Sequence, residues 1–222
     1  MLRRLLVLLG LVSLVVFVPM VVIAQDSTPE AQVESTASDV TRTIPAYVFP
    51  YDSDGLNAGL TVTANVSGVC AFDSLMTPGR PDAWDCLGDD NQVYDPCFEN
   101  PFAPPVESGD APGEVACMTS PFADEVVLLA LDTPLDRDKE AAPGPEVESW
   151  NLPWGLELAS GERCVLLSNI DVVLAGEAVH YDCADGGTIL GEVVRGQSVW
   201  TVIYLADGAT RTTLADVAVA WS

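Results

Sequence analysis

Six cysteines, Cys70, Cys86, Cys97, Cys117, Cys164 and Cys183, set the tightest limit on what this chain can fold into. An even number behind an export-type leader points to three disulfides, while the count alone leaves the connectivity open. The spacing favours local pairing. Fifteen residues separate Cys70 from Cys86, 19 separate Cys97 from Cys117, and 18 separate Cys164 from Cys183. A bridge closing a loop of that size contributes about 3 kcal/mol through the entropy it removes from the unfolded chain. A zinc site would want a C-x-x-C pair or ligand-spaced histidines, and the chain has neither. A nucleophilic cysteine would leave an odd thiol and needs a nearby base.

The leader is residues 1–24. Arg3 and Arg4 precede an almost unbroken Leu/Val run from Leu5 to Ile23, and Val22-Ile23-Ala24 reads as a small-residue cleavage site. The segment is a secretory signal peptide or an uncleaved N-terminal anchor, since its length approaches the roughly 20 residues that cross a bilayer. Both readings place the rest outside the cytoplasm, secreted or in the cell envelope. Residues 25–44 have no aromatic side chain and no apolar periodicity, and are expected to be a disordered tether. Residues 45–222 are expected to form one disulfide-stabilised β-rich domain.

Period-two patterning dominates that domain. Leu60, Val62, Ala64 and Val66 alternate onto one face, and Glu125 to Leu131 contains an apolar run suited to a buried strand. Trp154, Leu156 and Leu158 share a face, and Ser160-Gly161 turns the chain into the Cys164 strand. Val179, Tyr181 and Cys183 alternate ahead of the Asp185-Gly186-Gly187 turn. Val199 to Leu205, apolar on both faces, is expected to be central. Asp207-Gly208 is a hairpin signal leading to Val217, Val219 and Trp221. The stretch from Pro78 to Pro121 holds eight prolines and three cysteines, and is expected to be irregular, with at most a short helix near Asp82 to Cys86. The fold class is thus mainly β: an antiparallel sandwich- or barrel-like domain with a Pro-rich, disulfide-stapled irregular insertion.

At Pro81-Asp82-Ala83-Trp84-Asp85-Cys86 and Val93-Tyr94-Asp95-Pro96-Cys97-Phe98 the chain resembles an uncharacterised group of exported bacterial domains, mostly actinobacterial. The likeness continues through Pro153-Trp154-Gly155-Leu156-Glu157-Leu158, Gly161-Glu162-Arg163-Cys164, His180-Tyr181-Asp182-Cys183 and Val219-Ala220-Trp221, covering about residues 58 to 221. It implies an exported disulfide domain and adds support to local pairing of the cysteines. It supplies no activity and no catalytic residue.

Candidate sites are few. His180 is the lone imidazole, placed beside Asp182 and read as a surface histidine rather than half of a triad. Gly196-Gln197-Ser198 begins like a nucleophile elbow but lacks the final glycine, and is expected to be the turn before a strand. Calcium is the one ion suggested by composition, at Asp52-Ser53-Asp54-Gly55, at Asp89, Asp90 and Asp95, or at Asp136, Asp138 and Glu140. None of these has the spacing of the twelve-residue calcium loop, and no cofactor is expected. Trp84, Tyr94, Trp150 and Trp154 are candidate recognition aromatics, against the alternative that Trp84 and Tyr94 plug the Pro-rich excursion onto the sheet. Asn65-Val66-Ser67 fits a glycosylation sequon on a strand and carries no function here.

Charge narrows the partners. The chain carries 33 acids, 9 Lys and Arg and a formal charge of -24, with Lys139 its single lysine. Four acids precede residue 44, leaving 29 acids against six bases in the expected domain. A nucleic-acid partner needs a basic footprint and is excluded, as is adhesion to anionic lipid by charge; contact with a membrane would be through residues 1–24 alone. A neutral or cationic partner is favoured. The expected function is an exported, non-catalytic module with a binding or structural role. The alternative is a secreted hydrolase using a carboxylate pair.

Overall fold

The computed structural model describes residues 40–103, 113–136, 152–168 and 172–222. The leader, most of the tether, Trp150, Asp138 and Glu140 lie outside them. Among the described residues all regular structure is strand, and no helix is long and apolar enough to cross a membrane.

The chain enters through β1 (Ile44–Ala46) and a small hairpin of β2 (Tyr51–Asp52) and β3 (Gly55–Leu56). Strands β4 (Thr61–Asp73), β5 (Ala83–Gly88), β6 (Val93–Glu99), β7 (Glu114–Cys117) and β8 (Glu125–Leu131) follow, each antiparallel to the next. A parallel pairing of β4 with β8 closes them into a barrel. The remaining strands are β9 (Gly155–Leu158), β10 (Arg163–Leu166), β11 (Val173–Leu174), β12 (Glu177–Cys183), β13 (Thr188–Val194), β14 (Trp200–Leu205) and β15 (Thr213–Trp221). Their order is β15-β14-β13-β12-β10-β9, and β9 pairs back onto β15, so this sheet also closes on itself. β1 lies parallel to the end of β15, and β11 flanks β12. The barrel-like expectation is met by two closed sheets, which removes most free strand edges.

The Pro78–Pro121 stretch differs from its expectation. It contains β5, β6 and β7, and the residues expected as a short helix form β5. Runs within them, Ala83-Trp84, Pro96 to Phe98 and Val115 to Cys117, are buried on both faces, while Leu87 and Val93 are exposed, so no clean alternation marks the whole stretch. Trp84, Cys86, Cys97, Val115, Cys117 and Leu129 belong to one core. Ala83, Phe98, Ala116, Met118 and Val126 join the larger core of the second sheet. Pro96 is accommodated within β6 after a cis peptide bond from Asp95, and its carbonyl accepts the Met118 N–H at 3.1 Å.

All three disulfides link residues directly opposite one another on neighbouring antiparallel strands. Cys70–Cys86 ties β4 to β5, Cys97–Cys117 ties β6 to β7, and Cys164–Cys183 ties β10 to β12. Strand register and bridge connectivity therefore specify each other, and three such bridges are consistent with an oxidising compartment.

Elsewhere the alternation is right in kind and shifted in detail. A bulge between Val62 and Ala64 turns Val62 outward and leaves Ala64, Val66, Gly68 and Cys70 as the more buried set. Val217 and Ala220, rather than Val219, are the buried positions of β15, because this strand leaves β14 after Val217 and pairs with β9 from Val219. β14 is central in order but buries mainly Val202, with Ile203 partly exposed. The fold also starts earlier than composition suggests. Thr43, read as tether, is buried; its hydroxyl donates to the Val217 carbonyl and accepts from the Trp200 N–H, both at 2.7 Å.

One charged side chain joins these parts. Arg80 is 8% exposed and forks onto Asp82, with Nε to Oδ1 at 3.0 Å and Nη2 to Oδ2 at 2.6 Å. Its Nη1 donates to the main-chain oxygens of Val48 (2.7 Å) and Ser222 (3.0 Å). The guanidinium lies over Phe98 at 4.6 Å and over Phe49 at 5.2 Å. Arg80 is buried but Asp82 is 29% exposed, so losing Arg80 leaves a partly solvated carboxylate together with Val48 and Ser222 oxygens deprived of its donors. Arg80→Leu is expected to destabilise the fold by about 2–4 kcal/mol, and the double change with Asp82→Leu to recover part of that loss. Urea unfolding of both variants checks this; equal loss in both would remove Asp82 as the partner that matters.

Candidate functional site

After β1 the chain runs extended through Tyr47, Val48 and Phe49. Val48 is turned into the core, so its neighbours face outward, Tyr47 58% and Phe49 60% exposed. Val48 is pinned on both sides of its peptide unit: its N–H donates to the Ser222 oxygen at 3.3 Å and its carbonyl accepts Arg80. Two exposed aromatic rings are thereby held on an anchored backbone, with their centroids 6.4 Å apart.

They form one wall of a groove of about 280 Å³. Leu60 and Pro121 supply apolar lining, buried Met118 contributes to it, and Trp221 at the end of β15 completes it. The turn carrying Pro121 is fixed by Ser120, whose Oγ accepts the Phe122 N–H at 3.1 Å and whose carbonyl accepts the Ala123 N–H at 3.2 Å. Gly155 lets that turn approach β9: a Cβ there would stand 2.4 Å from the Pro121 ring. Phe122 then meets Trp221 edge to face at 6.0 Å. The polar groups on the groove are the carboxylate of Asp124 and the amide of Asn57, both exposed.

A second, polar cavity of about 400 Å³ is lined by Glu157, Ser160, Glu162, Arg163 and Asp185. Glu162 Oε1 accepts the Asp185 N–H at 2.8 Å. Burial, followed by a side-chain hydrogen bond with Asp185, raises the Glu162 carboxyl above its ordinary range. Glu162 also stands near the sulfur atoms of Cys164 and Cys183, but those are bonded to each other and offer no thiolate to a metal.

The aromatics singled out from the sequence lie elsewhere. Trp84 and Trp154 are each 1% exposed and belong to the two cores, where Trp154 packs against Phe98 at 6.0 Å. Tyr94 packs against the Trp84 core and donates its hydroxyl to Asp90 at 2.7 Å. That bond raises the tyrosine and lowers the aspartate from their ordinary pKa values. Trp150 lies outside the described residues. The groove residues Tyr47, Phe49 and Trp221 were missed because the site gathers four distant segments. The outward-inward-outward pattern of Tyr47-Val48-Phe49 was the available signal.

His180 is buried, contrary to its reading as a surface residue, because the bulge between Val179 and Tyr181 takes the imidazole out of simple alternation. Among the described residues its Nδ1 has no hydrogen-bond partner, and burial, opposed by Glu192, lowers its pKa from the ordinary value. Ser198 lies in a bend ahead of β14, as expected. The calcium candidates are bound up locally: Asp52 accepts the Asp54 N–H at 2.8 Å, and Asp90 accepts the Gln92 N–H at 3.0 Å. Asp95 instead accepts from the Ser74 hydroxyl and, at 3.0 Å, from the Leu75 N–H. Of the third cluster only Asp136 is described.

The chain matches no family model, no curated protein and no solved structure with which it was compared.

Asp95 yields a pH prediction. Burial pushes its carboxyl up to about 6, Ser74 opposes this, and nearby Asp85 adds to the rise. Because the folded value exceeds the unfolded one, the fold favours the protonated form. This contribution is fully present below about pH 4 and is lost as pH rises through about 6. The stability of Asp95→Asn relative to the wild type is expected to rise by about 2–3 kcal/mol between pH 4 and pH 7. Parallel stability curves for the two proteins across that window would remove Asp95 as the cause.

Proposed function

We propose that this chain is an exported, non-catalytic binding module that holds its ligand in the groove between Tyr47, Phe49, Leu60, Pro121 and Trp221. The observation that carries the proposal is the pair of rings at 58% and 60% exposure on a backbone fixed by Arg80 and Ser222. Leaving two large aromatic faces in water forfeits burial energy, and such a cost on a preformed concave surface is characteristic of recognition sites. Three cross-strand disulfides and the apolar leader support export. Secretion and surface anchoring both fit this role.

The rival is a hydrolase using paired carboxylates, and the polar cavity supplies its best pair. Glu162 accepts the Asp185 backbone N–H at 2.8 Å, so this carboxylate is engaged by the turn beside it rather than held free across a cleft. Glycosidic chemistry wants carboxyls about 5–9 Å apart flanking the scissile bond. Among the described residues none that lines that cavity is an aromatic able to stack on a sugar. The geometry supports binding at the groove better than hydrolysis at the acids.

A fragment screen followed by amide and indole chemical shifts in ¹⁵N-labelled protein tests the proposal. Shift changes are expected to cluster at Tyr47, Asn57, Ala123 and the Trp221 indole, and to vanish in Leu60→Asp. Clustering around Ser160 and Asp185 instead, or hits indifferent to Leu60→Asp, would overturn it.

A further inference from the structure

We infer, building on the binding-module reading, that the groove takes an arginine side chain presented by an extended segment of a basic polypeptide. Three observations carry this. First, among the described residues lining the groove none is basic, and the exposed Asp124 carboxylate stands on it. Glu125 follows directly, and Asp52 and Asp54 sit exposed on the hairpin between the lining residues Pro50 and Asn57. Second, the chain from residue 45 carries 29 acids against six bases, so the field around the groove attracts cations and repels both anions and a second copy of the same protein. Third, the rings of this region already take guanidinium groups of the chain itself. Arg80 lies 5.2 Å from the centroid of Phe49 and Arg163 lies 5.3 Å from that of Phe122.

Those internal arginines do not compete. The charge of Arg80 is matched by Asp82, and that of Arg163 by Glu157 at 3.8 Å. Among the described residues no guanidinium lies over Tyr47, which lines the groove. An incoming arginine would lay its stem on Leu60 and Pro121, stack its guanidinium on Tyr47 and donate to Asp124. Arginine suits such a site better than lysine because its planar, weakly hydrated head can stack and hydrogen-bond at once. A bare metal ion is a poor occupant, since apolar side chains make up most of the lining and cannot coordinate it.

The test uses the disulfide-bonded protein and three capped peptides, Gly-Pro-X-Pro-Gly with X as arginine, its uncharged isostere citrulline, or glutamate. Titration calorimetry with groove-shift mapping is expected to show the arginine peptide binding at least about ten-fold more tightly than the citrulline one, and weakening as salt is raised. Tyr47→Ala and Asp124→Asn should each weaken it about five-fold or more with unchanged melting, since both residues are exposed. Asp182→Asn, an exposed acid on β12, should leave it unchanged. Equal binding of arginine and citrulline at the groove would overturn the cation inference while leaving the binding groove standing. Equal weakening by Asp182→Asn and Asp124→Asn would assign the attraction to the diffuse acidic surface and overturn it. Absence of binding by the arginine peptide at millimolar concentration would also overturn it.

Discussion

Arg80 places a permanent positive charge where three stretches of chain meet, and the fold is arranged to make that burial tolerable. Asp82 supplies a matched carboxylate fork, Val48 and Ser222 supply main-chain oxygens, and Phe49 and Phe98 give the guanidinium aromatic faces. Each requirement fixes something larger. The Val48 contact holds the segment after β1, the Ser222 contact holds the end of β15, and Phe98 belongs to β6 of the first barrel. A buried cation with a missing acceptor is expensive, so competing arrangements of these three segments are penalised together. A lysine could not meet the same demands, because it lacks the planar fork that satisfies two acceptors sideways and two more ahead.

Around that junction parts of β5, β6 and β7 are buried on both faces, while Leu87 and Val93 of the same strands stay exposed. β5, β6 and β7 contribute to an internal core on one side and to the core of the second sheet on the other. Such strands gain burial on both faces but are short, and the disulfides offset that shortness by clamping adjacent partners. The second sheet follows the simpler rule, with one inward face built from Leu156, Leu158, Tyr181, Ile189 and Val202. Its single bridge, Cys164–Cys183, continues that inward row.

This contrast explains how far the sequence could be read. The second half was legible because half-buried strands alternate: β9, β12 and the turns at Gly161, Gly186 and Gly208, all at positive φ, fall where the pattern puts them. Local disulfide pairing was legible for the same reason, since a hairpin brings residues of that separation opposite each other. The Pro-rich stretch was not, because two-sided burial erases alternation and Pro96 in β6 argues against a strand until its neighbours are known. Trp84 and Trp154 looked like recognition residues from their setting among prolines and glycines, yet burial assigns both to cores. The bulge at Val179 likewise hid the burial of His180. The groove was illegible for a different reason: Tyr47, Leu60, Pro121 and Trp221 become neighbours only through closure of the two sheets and the approach permitted by Gly155.

The groove and the buried arginine are consequences of one arrangement. Tyr47 and Phe49 face solvent because Val48 between them faces inward, and Val48 is held there by Arg80 and Ser222. A recognition surface on a loose segment would lose affinity to the entropy of ordering it on each binding event. Here that ordering has already occurred during folding, through an ion pair that the fold requires in any case. The acid-rich surface adds long-range attraction for cations, while the rigid rings limit which cations gain from close approach. Charge alone would make this protein bind anything basic. In the proposed binding role, the aromatic wall would supply the discrimination that charge lacks.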